Sequence, residues 1–221
     1  MNSTTTGYRE LSVGVLRFSF GTMGCGKSTL ALQIHHNLSR HHKSGALLSQ
    51  LDREGAKVSS RLGVSSDAIQ VTPDLDLHQF ARQTVAQRGR LDYMVCDEAQ
   101  FYTPGQADQL ALVVDDFGTD VYAFGLITDF RGVLFEGTRR FLEVADERVQ
   151  LQVEARCWCG QRATHNARIV NGSIVYEGDV VVVGDTEAHA PVLFGDTVTY
   201  ELLCRRHYRA GLTDQTLRSV P

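Results

Sequence analysis

Short apolar runs alternate along the chain with longer amphipathic stretches. Residues 13–20, "VGVLRFSF", are brief, apolar and β-rich, which predicts a buried strand. Residues 27–40 follow with Leu30, Ile34 and Leu38 at helical spacing, predicting a helix with those three on one face. "GALLSQL" (45–51) predicts a second strand, and 60–90 mixes short segments with a helix over 76–88. "LDYMVCDEAQF" (91–101) contains a third strand that ends at an acidic pair. Residues 105–118 read as a helix stopped by Gly118, and 120–130 as a fourth strand. Strands alternating with helices predict an α/β fold with a mostly parallel sheet. Near residue 150 the texture changes to short β-like runs and turns. Residues 1–150 are therefore expected to form a core, 151–212 a smaller second domain, and 213–221 a loose tail.

Composition changes this picture little. A chain of 221 residues suits one large domain, or a core with a satellite. A net charge of −4 gives no global argument for nucleic acid or acidic membranes. The polar start "MNSTTTGYRE" lacks a basic, then apolar, leader, and no apolar run approaches a membrane span. The expectation is a soluble cytoplasmic protein without membrane or nucleic-acid partners. The five cysteines are an odd count, three of them near the C-terminal end, unlike a secreted disulfide framework.

Three motifs carry chemistry. Gly21, Gly26, Lys27 and Ser28 fit G-x-x-x-x-G-K-[ST] without a gap, and Thr22, Met23, Gly24 and Cys25 fill the loop between. A triphosphate needs inward-pointing backbone N–H groups, and glycine lets the chain curl close around it. A helix starting at Lys27 adds its positive end. Lys27 is then expected at the β- and γ-phosphates, and Ser28 at Mg²⁺. Asp97 and Glu98 end the strand "YMVC". Asp97 is the candidate carboxylate for the Mg²⁺ site and Glu98 the candidate base, since an attacking hydroxyl must lose its proton. This pair does not choose between water and a substrate hydroxyl. "DFRG" (129–132) matches a D-x-x-G switch, but no Asn-Lys-x-Asp segment accompanies it, which weighs against a GTPase. Lastly, Cys157 and Cys159, with Cys204 and His207, form two tight pairs suited to a closed, structural tetrahedral zinc. His165 and His189 are alternative ligands that read better as loop or surface residues.

Taken together, "GTMGCGKST", "DEAQF", "GLITDFRG" and "CWCG…LCRRH" resemble the zinc-containing, P-loop type of thymidine kinase. The resemblance spans most of residues 13–210. It implies a RecA-like core with a small zinc domain carrying a lasso-shaped loop. The implied reaction moves the γ-phosphoryl group of ATP to the 5′-hydroxyl of thymidine, giving dTMP. It further implies Glu98 as general base, Asp97 and Gln100 near the phosphates, and Phe130 and Tyr200 against the nucleoside. The lasso segment Val180, Val181, Val182, Val183 and Gly184 would read the thymine edge through its backbone. Asp52 and Arg53 resemble an Asp/Arg element near the phosphates. A homotetramer inhibited by dTTP is also implied. Two features depart from the family pattern: C-x-C stands where C-x-x-C is usual, and residues 185–199 form a longer stretch. A nucleic-acid motor and a non-catalytic nucleotide sensor are the competing readings. The first draws on "RR" at 139–140 and "CRRHYR" at 204–209, and the acidic strand end argues against the second.

Overall fold

The computed structural model describes residues 13–50, 57–59, 65–151, 154–180, 192–193 and 196–214. The strands are β1 (Leu16–Gly21), β2 (Gly45–Ser49), β3 (Lys57–Ser59), β4 (Ser65–Asp67), β5 (Ile69–Gln70), β6 (Tyr93–Asp97), β7 (Asp120–Leu126), β8 (Glu147–Gln150), β9 (His165–Val170), β10 (Ser173–Val175), β11 (Val192–Leu193) and β12 (Asp196–Leu203). The helices are α1 (Lys27–Arg40), α2 (Leu77–Arg88), α3 (Pro104–Phe117), α4 (Glu136–Val144) and α5 (Arg205–Ala210). A six-stranded sheet in the order β5-β2-β6-β7-β1-β8 forms the core, and all its pairings are parallel. A four-stranded antiparallel sheet, β10-β9-β12-β11, follows it. The expected α/β class is thus present, with β7 inserted between the loop-bearing β1 and the acidic β6.

Both faces of the parallel sheet are covered, as parallel sheets require. Alternation along β6 sends Tyr93 and Val95 toward α1, with Ala31, Leu32, Leu47 and Phe124. Met94 and Cys96 face the opposite layer, with Leu77, Leu110, Val113 and Phe141 from α2, α3 and α4. Local signals set most helix ends. Asp76 caps α2 by accepting from the Gln79 backbone N–H, and Gly89 ends it at φ +78. Thr103 and Gln106 close a capping box around α3, with Pro104 in its first turn and Gly118 as the stop.

Two features go beyond the residue pattern. On α1, Ile34 and Leu38 pack against the core as partly covered residues, but Leu30 is 38% exposed, and Ala31 and Leu32 are the buried positions. Close docking of the helix start under the glycine loop favours small Ala31 against the sheet. The core also gains α4 and β8, which the residue pattern did not signal. The α4 segment has no side-chain cap and carries glycine in its first turn. It is held by tertiary contact, with Phe141 stacked on Phe18 at a 5.1 Å centroid distance. The β8 strand is charged and exposed, and it forms by parallel pairing with β1. No helix among the described residues is long and apolar enough to cross a membrane.

Candidate active site and metal centre

The carboxyl ends of β1, β6 and β7 lie on one side of the sheet, where open α/β folds hold their ligands. After β1 the backbone turns through Gly24 (φ +67) and Gly26 (φ +83), both left-handed. At Gly21 a Cβ would stand 2.4 Å from Cys25 Sγ, so the loop closes on itself there. Lys27 opens α1, is 8% exposed, and curls over the loop to donate to the Thr22 carbonyl at 2.8 Å. The Met23 N–H donates to Asn166 Oδ1 on β9 at 2.8 Å, tying the loop to the second sheet. A curled backbone at a helix N-terminus, with a lysine above it, is an anion cradle.

Asp97 ends β6 and is 2% exposed, and its Oδ1 has no hydrogen-bond partner. Burial, then the neighbouring Glu98 charge, push its carboxyl up to about 6, against the pull of Ser28 and Lys27. A buried carboxylate oxygen without a partner is costly unless a cation meets it. The orphaned oxygen therefore fits a Mg²⁺ beside the phosphates. Glu98 adopts φ +52, a left-handed conformation that costs roughly 1–3 kcal/mol for a residue of this kind and clusters at functional sites. Gln100 holds it. Its Nε2 donates to Glu98 Oε2 at 2.5 Å, and its Oε1 accepts from the Leu126 N–H at 2.9 Å.

The helix α4 supports this turn from below. A Cβ at Gly137 would lie 2.4 Å from the Tyr102 carbonyl oxygen and 2.8 Å from that of Gln100. Gly137→Ala is therefore expected to cost about 1–3 kcal/mol by overpacking, and to lower turnover as the Glu98 turn shifts. Thermal melting and kinetics of that variant check this; an unchanged melting temperature would remove the close approach from the account.

Three of the expected nucleoside residues meet at the junction of the two sheets. Phe130 follows β7 and is 3% exposed, and its carbonyl accepts from Tyr208 Oη at 2.8 Å. Tyr200 lies on β12 and Val180 precedes β11. One side chain joins them: Arg168 of β9, whose Nε donates to Tyr200 Oη at 3.0 Å and whose terminal nitrogen donates to the Val180 carbonyl at 3.0 Å. Val181, Val182, Val183 and Gly184, like Asp52, Arg53 and His189, lie outside the described residues. Sequence reasoning passed over Asn166 and Arg168. The available signal was polar residues at alternate positions of an otherwise β-like run, "HNARIV", which puts both on one face.

Cys157, Cys159, Cys204 and His207 come together with their ligand atoms all within 4.8 Å of one another. Cys157 Sγ and Cys204 Sγ lie 3.3 and 3.6 Å from His207 Nδ1, and Cys159 Sγ lies 4.0 Å from Cys204 Sγ. A tetrahedron with metal–sulfur arms of about 2.3 Å has edges of about 3.8 Å, so this Cys3His cluster fits structural zinc. A C-x-C knuckle suffices because the chain turns back at once: Gly160 N–H donates to the Cys157 carbonyl at 2.8 Å, with φ +82 at Gly160. Cys204 caps α5, and the His207 backbone N–H lowers its thiol pKa, favouring the ligating thiolate. His165 lies outside the cluster, stacked on Tyr208 at 4.3 Å.

Trp158, the single tryptophan, stacks on His207 with centroids 4.0 Å apart. Chelation is thus expected to release zinc and change tryptophan emission in step. Zinc release without any change in emission would contradict the stacking.

A cavity of about 440 Å³, lined by Lys43, Arg90, Asp92 and Asp120, opens at the other ends of the strands. It has neither the glycine loop nor the paired carboxylates, so the phosphate chemistry belongs elsewhere.

A curled glycine loop under a lysine, with a buried aspartate and an adjacent glutamate at the ends of parallel strands, defines a P-loop nucleotide-binding site. The thymidine kinase family profile matches residues 14–208. A thymidine kinase of Streptomyces coelicolor is 54% identical over 206 residues, covering 93% of each chain. One from Cutibacterium acnes is 49% identical over 206 residues, again 93% of each. A more distant one from Coxiella burnetii is 33% identical over 205 residues, 91% of this chain and 98% of that one. The chain belongs to the thymidine kinase family, which are ATP-dependent phosphotransferases.

Proposed function

We propose that this protein transfers the γ-phosphoryl group of ATP to the 5′-hydroxyl of thymidine, giving dTMP. The observation that carries the reading is the pairing of a P-loop lysine with buried Asp97 and half-buried Glu98 at the end of β6, in a chain of this family. Gly21, Thr22, Met23, Gly24, Cys25, Gly26, Lys27 and Ser28 cradle the phosphates, and Lys27 offsets charge on the group in transfer. Asp97 and Ser28 would hold Mg²⁺, which supplies further charge neutralisation when bound. Glu98 accepts the proton of the 5′-hydroxyl, with Gln100 fixing its carboxylate. Phe130, Tyr200 and the segment Val180 to Gly184 bind the nucleoside, the segment reading the thymine edge through backbone groups. The zinc of Cys157, Cys159, Cys204 and His207 is structural, since all four positions are taken by protein.

Residues 1–150 then carry the phosphate chemistry and supply Phe130 to the nucleoside, 151–212 supply the rest of that pocket and the metal ligands, and 213–221 form a tail. We extend the reading to a homotetramer inhibited by dTTP. That nucleotide joins a triphosphate to thymine and so can engage both halves of one site. Light scattering and competition of dTTP against each substrate check these two points. The acceptor is tested by offering thymidine, deoxyuridine, deoxycytidine and single-stranded DNA in parallel with ATP and Mg²⁺. Phosphorylated thymidine as the preferred product supports the reading. ATP hydrolysis stimulated by DNA, with no nucleotide product, would replace it with a motor.

A further inference from the structure

We propose that Arg168 is the positioning residue that sets thymidine affinity, by bracing the nucleoside end of the site; this rests on the reading above. Arg168 is 3% exposed, yet no ion pair to it occurs among the described residues. Its charge is met by oxygen and ring partners. Its Nε donates to Tyr200 Oη at 3.0 Å, and its two terminal nitrogens donate to the carbonyls of Asp179 at 2.6 Å and Val180 at 3.0 Å. The guanidinium also lies over the Phe130 ring, 3.7 Å from its centroid.

Burying a guanidinium in this way is a poor route to stability, because an apolar side chain of similar size usually does as well or better. The placement makes sense when the contacts themselves are useful. A planar fork can hold two successive carbonyls and a phenol while its face lies on an aromatic ring, which an ammonium cannot do. Arg168 sits directly opposite Tyr200 in the β9–β12 register, so the strand pairing fixes the Cα position from which the fork extends. The carbonyls it holds open the segment assigned to the thymine edge, and the ring it covers is the one assigned to the nucleoside. The Phe130 carbonyl is tied in turn to Tyr208, next to the zinc ligand His207. Arg168 thereby connects the metal-supported part of the small sheet to the pocket without touching the phosphate loop. Its loss should weaken thymidine binding selectively.

The test is steady-state kinetics of Arg168→Lys and Arg168→Ala, each with zinc content measured. The expected result for Arg168→Lys is a thymidine KM raised about tenfold or more, with kcat and the ATP KM within about threefold of wild type and zinc retained. In Arg168→Ala, millimolar guanidinium ion is expected to bring the thymidine KM partly back. An unchanged thymidine KM in Arg168→Lys overturns the proposal. So do parallel rises in both KM values with zinc loss and no guanidinium rescue, which mark a merely structural arginine. Absence of thymidine phosphorylation by the wild-type protein would instead remove the functional reading beneath it.

Discussion

Glu98→Gln is expected to lower kcat with thymidine by about 10²- to 10⁴-fold, the usual contribution of a general base, and to leave ATP binding nearly unchanged. The amide keeps the size and the hydrogen-bonding reach of the side chain but cannot take a proton. Gln100 Nε2 presently donates to Glu98 Oε2, and an amide oxygen in that place can still accept the bond. The turn should therefore hold its shape, including the φ +52 of residue 98. Asp97, the residue proposed for the cation, stays intact, so ATP should bind as before. Pre-steady-state turnover together with ATP titration separates these effects. Turnover equal to wild type would remove Glu98 from the mechanism. Equal loss of ATP affinity and turnover would move it to the nucleotide site.

The second large effect is expected at the metal. Cys204 stands between the two knuckles, facing both Cys159 and His207. Cys204→Ser should release the zinc, and structural zinc sites supply on the order of 10–16 kcal/mol of apparent folding free energy in small peptides. The small sheet has little else to hold it: its buried cluster is Cys157, Ala167, Leu203, Cys204 and Tyr208, so two of its five members are themselves proposed ligands. The parallel sheet has two larger clusters of its own. Loss of zinc is therefore expected to abolish thymidine turnover and nucleoside binding while the core keeps its helical signal. Zinc analysis, circular dichroism and thymidine binding on the same sample would check this. Full thymidine binding by a zinc-free variant would contradict it.

Legibility in the sequence followed the range of the interactions involved. The glycine loop, the acidic strand end and the helix stop at Gly118 are local devices, written in neighbouring residues. The Cys and His positions could be paired across the chain because thiols and imidazole are so particular in their chemistry. What escaped depends on distant partners. The α4 helix has no cap of its own and relies on Gly137 nesting against the Glu98 turn. The exposed, charged β8 becomes a strand through β1. Short β11 forms by antiparallel pairing with the start of β12. The burial of Ala31 in place of Leu30 is set by how α1 docks, which periodicity alone does not reveal. Arg168 and Asn166 look like ordinary polar residues until the strand pairing brings Arg168 to Tyr200 and Asn166 to the glycine loop.

Phosphoryl transfer to thymidine can be followed with γ-labelled ATP. Purified protein with Mg²⁺ would be incubated with and without thymidine, and ADP and labelled dTMP quantified together. ADP is expected to form only when thymidine is present, matched one to one by labelled dTMP. ADP formed without thymidine, or label released as inorganic phosphate, would contradict it.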